Sequence, residues 1–132
     1  MVSKNPYAQY SNNKIFTASK EELTLMLYDG ALKFSNQAIV AIEQKDLPKA
    51  NDLIIKVQDI IREFQVTLDR SYDISTELAE IYDFLYRRLV IANTRKDVEI
   101  LKEVRDFIRE LRDTWKEAMN LAKKENKETK AI

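Results

Sequence analysis

The side chains of this chain that could do chemistry are carboxylates, lysines, arginines and tyrosines, because histidine and cysteine are both absent. Without histidine the chain lacks the commonest general base, the usual nitrogen ligand for a metal and the acceptor of histidine phosphotransfer. Serine triads, zinc sites and di-iron bundles built on Glu-x-x-His are excluded with it. Without cysteine no disulfide or thiolate site can form, which suits a reducing compartment. Gly30 is the one glycine, so there is no Gly-x-Gly or Gly-Lys-Ser/Thr cradle for a phosphate. The spacings that remain point to adhesion. In Tyr82-Asp83-Phe84-Leu85-Tyr86-Arg87 the two tyrosines fall four apart on one helical face, with Asp83 and Arg87 paired similarly on another. Tyr82 and Tyr86 are either core rings with solvated hydroxyls or a partner-facing aromatic ridge. No motif orders the remaining acids and bases, so the expectation is a binding protein and not an enzyme, with no cofactor, metal or small-molecule substrate.

Helices must position these groups. One glycine and two prolines in 132 residues are too few turn-formers for an all-β fold, and the length fits a single domain. Residues 1–18 mix Asn, Ser, Gln and Tyr around Pro6 without helical period and read as a mobile arm. Ser19 followed by Glu22 forms a capping box that opens helix 1, whose apolar period continues to about Gln44. Asp46-Leu47-Pro48 opens helix 2, which runs to about Arg70. The turn residues Ser71 to Ser75 precede helix 3, from Glu77 to Thr94. Asp97 caps helix 4, from Val98 to about Lys123, and residues 124–132 alternate charge without an apolar stripe and should fray. Short links between long helices force antiparallel neighbours. The expected fold is therefore all-α, an up-down-up-down four-helix bundle over residues 19–123.

Charge and hydropathy then narrow the partners. The 22 basic and 22 acidic residues are interspersed and cancel, leaving no one-signed field for nucleic acid or an anionic membrane. The amino terminus has no signal-peptide apolar core, and no stretch approaches the ~20 apolar residues of a membrane span. A cytoplasmic protein without membrane insertion is the expectation.

Helix 1 carries two apolar stripes where a core needs one. Leu23, Leu27, Ala31, Phe34, Ala38 and Ala41 make the first, spaced three and four apart. Leu25, Tyr28, Leu32 and Ile39 repeat at similar spacing about 200° away and are expected to face outward. On helix 2, Ile55 and Val66 lie off the line of Leu53, Val57, Ile60 and Phe64. On helix 4, Ile100, Phe107 and Leu121 lie beside the line of Leu101, Val104, Ile108, Leu111 and Trp115. Extra apolar lines on several helices imply a groove for an amphipathic or extended peptide. Gly30, inside helix 1, implies close approach of another backbone, from a neighbouring helix or a bound peptide.

Asn5-Pro6-Tyr7 with Tyr10, then Thr17-Ala18-Ser19 and Glu22-Leu23-Thr24-Leu25-Met26-Leu27-Tyr28-Asp29-Gly30-Ala31-Leu32-Lys33-Phe34, resembles the opening of the FliS family. Ile81 to Leu89 with Ala92-Asn93 is similar to that family's third helix, and Leu111-Arg112-Asp113-Thr114-Trp115-Lys116 to its closing motif. Lys20 departs from the pattern, since the family usually has proline there. The resemblance implies a chaperone of type III flagellar export. Such a protein binds the disordered carboxy-terminal segment of flagellin, prevents its premature polymerisation and delivers it to an export gate protein. It also implies an amino-terminal arm that covers part of the groove, here through Tyr7, Tyr10 and Ile15. The partner-binding expectation is thus Tyr7, Tyr10, Ile15, Leu25, Tyr28, Leu32, Ile39, Tyr82 and Tyr86. A structural bundle that self-associates through the same apolar surface is the alternative.

Overall fold

A computed structural model describes residues 18–131, with side chains described over residues 18–125. Four helices follow one another: α1 (Lys20–Glu43), α2 (Leu47–Thr67), α3 (Ser75–Arg95) and α4 (Val98–Ala131). Their starts follow from local chemistry. The Ser19 hydroxyl accepts from the Glu22 amide at 3.1 Å, the Asp46 carboxylate from the Lys49 amide at 3.3 Å, and the Asp97 carboxylate from the Ile100 amide at 3.1 Å. Each cap satisfies an amide that the first helical turn leaves without a partner. Pro48 sits in the first turn of α2, where its missing N–H forfeits no helical bond.

The ends show where propensity alone is a poor guide. Lys45 and Lys96 take left-handed backbone conformations, φ 61° and 51°, after α1 and α3. Turns there close with Asp46 N–H to Ala41 O at 2.8 Å and Asp97 N–H to Ala92 O at 3.0 Å. α2 stops at Thr67, short of the expected Arg70, so the α2–α3 connection is the longer stretch 68–74. α4 continues past Lys123 to Ala131. Its last turns are rich in Lys, Glu and Ala, strong helix formers that hold the helix where the apolar stripe has run out.

Pairings across the seams run in opposite directions, as an antiparallel ring requires. Between α1 and α2, Gly30 meets Ile60 and Phe34 meets Lys56. Between α2 and α3, Asn51 bonds Asn93 at 2.9 Å while the Arg62 guanidinium lies 4.4 Å from the Tyr86 ring centre. Between α3 and α4, Phe84 faces Phe107 and Arg88 pairs with Glu103 at 3.1 Å. The ring closes between α1 and α4, where Asp29 pairs with Arg112 at 3.2 Å and Asn36 with Arg105 at 3.2 Å. The two ion pairs among them, whose carboxylates on Glu103 and Asp29 are exposed, set register more than stability. Stability comes from the centre, where Ile54, Ile61, Leu85, Leu89, Leu101 and Ile108 are fully buried. Each contributes roughly 1.5–3 kcal/mol on transfer from water.

Two expectations about α1 need correcting. Tyr28, Leu32 and Ile39 do not face outward: they are 4%, 7% and 5% exposed and belong to the core. In a closed ring, α1 touches both flanking helices and the helix across the diagonal. One stripe packs toward α2 and the other toward the bundle centre, so the buried arc is wider than one line. Gly30 likewise has no neighbouring backbone pressed against it. A Cβ built there would meet only the Ile60 Cδ1 at 3.6 Å, ordinary contact.

Candidate functional site

At the end of the bundle where α1 begins, α2 ends, α3 begins and α4 passes through, the helices enclose a cleft of about 570 Å³. Its floor is an aromatic layer. Phe64 packs between Tyr28 and Tyr82, with ring centres 4.5 Å and 5.4 Å away, and all three rings are buried. The two phenols meet beside it, the hydroxyl of Tyr28 lying 2.9 Å from that of Tyr82. Burial pushes the pKa of both phenols up. At Tyr28 the neighbouring Tyr82 adds to the shift, and at Tyr82 the bond to Tyr28 offsets part of it. Both therefore stay protonated and neutral at ordinary pH.

The walls come from four elements. Leu68 closes α2, Leu78 stands on the first turns of α3, and Leu111 and Trp115 look in from α4, all half-buried. The Trp115 indole donates to the Glu21 carbonyl at 3.0 Å, which fixes the α4 wall to the first turn of α1. The 68–74 connection also lends Tyr72 and Ile74, which are 66% and 58% exposed. That connection is held by Asp69, whose carboxylate accepts from the Ser71 hydroxyl at 2.6 Å and amide at 2.9 Å. These bonds lower the Asp69 pKa. Charged Lys20, Glu21 and Asp69 are exposed around the opening. An apolar trough with a charged edge is built to take apolar side chains of another segment.

The residues expected from sequence to bind a partner divide into four groups. Tyr7, Tyr10 and Ile15 lie outside the described residues. Tyr28 and Tyr82 come together in the cleft floor. Leu32 and Ile39 are buried further along the core, while Leu25 is half-buried on α1 outside the cleft lining. Tyr86 is half-buried under the Arg62 guanidinium, so Tyr82 and Tyr86 do not make one exposed ridge. Asp83 and Arg87 do pair, at 3.2 Å on the solvated face.

The stripes of the other helices fall out as follows. Ile55 and Val66 are exposed, Ile100 is buried, Phe107 half-buried and Leu121 exposed. Trp115, aligned by sequence with the inner line of α4, is only half-buried. Of the apolar cleft residues, sequence reasoning gave a binding role to Tyr28 and Tyr82 alone; it read Phe64, Leu111 and Trp115 as core lines and passed over Leu68, Tyr72, Ile74, Leu78 and Ala118. The signal available for Tyr72 and Ile74 was a tyrosine and an isoleucine inside a turn segment that otherwise needs only polar residues.

Among the described residues no cluster of His, Cys, Asp or Glu could hold a metal ion, and no helix is long and apolar enough to cross a membrane. Known proteins supply the remaining comparison. The family model described as flagellar protein FliS matches residues 3–122. The flagellar secretion chaperone FliS of Bacillus subtilis is 43% identical over 125 residues, covering 95% of this chain and 94% of that protein. The chaperone of the same name from Salmonella typhimurium is 33% identical over 115 residues, covering 84% and 85%. Flagellar secretion chaperone FliSB of Pseudomonas aeruginosa is 30% identical over 118 residues, covering 87% and 94%. A match across nearly the whole chain, on an all-helical bundle of this architecture, establishes that the chain belongs to the FliS family of flagellar secretion chaperones.

Proposed function

We propose that the protein takes the carboxy-terminal segment of flagellin into the cleft over Tyr28, Phe64 and Tyr82, keeps it from polymerising early, and passes it to an export gate protein of the type III flagellar apparatus. The work is done in the cytoplasm and no bond is made or broken. The observation that carries this reading is the cleft itself: an open apolar trough in a secretion-chaperone family member, with Tyr72 and Ile74 exposed at its edge. An amphipathic segment laid into such a trough buries the residues with which it would otherwise join its neighbours. Being disordered when free, it loses chain entropy on binding, so an extended interface of moderate affinity per unit area is expected. Tyr7, Tyr10 and Ile15 of the amino-terminal arm act as an intramolecular competitor for the same surface, because the chain enters α1 at Lys20, which lines the cleft.

Co-purification tests the proposal. The chain should retain a carboxy-terminal flagellin fragment and release an amino-terminal fragment of equal length. Equal retention of both, or of neither, contradicts it. The alternative, a bundle that self-associates through the cleft face, predicts a mass that rises with concentration. A monomer mass constant from micromolar to hundreds of micromolar speaks for the chaperone.

A further inference from the structure

The Tyr28–Tyr82 pair holds a proton that the bundle does not use. Each phenol has one proton to donate, and the 2.9 Å bond between the hydroxyls consumes one of the two. Whichever oxygen accepts keeps its own proton, and neither hydroxyl has a second partner among the described residues. Ionisation does not remove the surplus, because burial keeps both phenols neutral. Phe64 packs on both rings, Leu78 and Leu111 line the cleft with them, and the oxygens of Thr24, Thr67, Asp69 and Ser75 that also line it bond elsewhere and to neither phenol. Both tyrosines border the cleft, so water can take the proton while the cleft is open.

A bound segment changes this. Apolar side chains that enter the cleft expel the water, and a donor left without an acceptor in apolar surroundings weakens the complex. A helical segment packed through its middle serves this donor poorly, since each of its carbonyls already accepts from an amide of its own helix and lies along the helix axis beneath the side chains, leaving one lone pair in a hindered direction. The last four carbonyls of a helix are free, and so are those of an extended stretch. We infer that the flagellin segment in the cleft presents a main-chain carbonyl with no partner of its own, at a helix end or an extended residue, and that it accepts the surplus Tyr28–Tyr82 proton. The pair thereby selects the point along the segment where helix gives way, and an uninterrupted helix of similar apolar face is disfavoured. This deepens the proposed function and rests on the cleft being the flagellin site.

The test is the Tyr28→Phe/Tyr82→Phe protein, titrated with the carboxy-terminal flagellin peptide by calorimetry. Both partners of the bond are replaced by apolar rings of the same shape, so the melting temperature should stay within a few degrees, while affinity falls about fivefold or more. Binding as tight as the parent, or tighter, overturns the inference. Should the double variant not fold, the single variants decide: at least one must bind about threefold more weakly, and two unchanged affinities overturn it. An ester-for-amide scan of the peptide reads the carbonyl directly. One position should lose affinity toward the parent protein but not toward the double variant, and a scan with no such position contradicts the claim. Ala118→Glu, at an exposed position on the cleft wall, separates the two proposals. Peptide affinity that ignores Ala118→Glu overturns the cleft reading and this inference together. Affinity lost in Ala118→Glu but kept in the double phenylalanine protein overturns this inference alone.

Discussion

The hydroxyl of Tyr28 on α1 and that of Tyr82 on α3 lie 2.9 Å apart, linking two helices that sit across the diagonal of the ring. This bond ties the aromatic floor of the cleft to the helices on both sides. It also makes the floor a titrating element, because burial raises the pKa of both phenols.

Alkaline pH should therefore loosen the bundle. In the unfolded chain both tyrosines ionise near pH ~10, while in the folded chain they hold their protons to higher pH. The folded state then binds more protons than the unfolded one, so stability declines as pH rises above ~10 and the contribution is fully present below it. Melting temperature followed from pH 7 to 11 should be level at first and drop above ~10, and Tyr28→Phe/Tyr82→Phe should retain less of the drop. Equal alkaline drops in the two proteins would show that the pair is not shifted.

Gly30→Ala should stabilise the protein by about 1 kcal/mol, the helix-interior difference between the two residues. The added methyl meets the Ile60 side chain at 3.6 Å and displaces no backbone. Denaturant unfolding measures the change, and a loss of stability would mean that α1 and α2 pack more closely at Gly30 than this geometry has it.

How much could be read from the sequence differs sharply between these features. The caps Ser19, Asp46 and Asp97 were legible because a cap is a local event between residues three apart. Antiparallel order followed from short links. The facing of Leu32 and Ile39 was not legible. Periodicity shows that residues share a line but not which neighbour covers it, and in a closed ring two lines of one helix are both covered. The cleft was hidden for another reason: Tyr72 and Ile74 sit in a connection and Trp115 comes from the far end of the chain, so only the ring geometry brings them beside Tyr28 and Tyr82.

Leu32→Ala should lower stability by about 2–4 kcal/mol, since the side chain is 7% exposed and packed in the core. Unfolding in urea gives the value. A loss under about 0.5 kcal/mol, typical of surface positions, would return Leu32 to an outward face.

Trp115 is the one tryptophan and reports on the cleft wall. Half-buried, with its indole N–H bonded to Glu21 O, it should emit between the buried and solvated limits in the free protein and shift to shorter wavelength when the flagellin peptide enters. An emission maximum that does not move while calorimetry registers binding would place the peptide elsewhere.

The most direct test of the account compares two exposed positions. Ala118 lines the cleft, whereas Ile55 is 42% exposed on α2 and outside the cleft lining. Calorimetric titration of the carboxy-terminal flagellin peptide into Ala118→Glu and Ile55→Glu should show affinity reduced at least about tenfold in the first, about 1.4 kcal/mol, and nearly unchanged in the second. Affinity retained in Ala118→Glu and lost in Ile55→Glu would place the flagellin site on the outer face of the bundle and contradict the account.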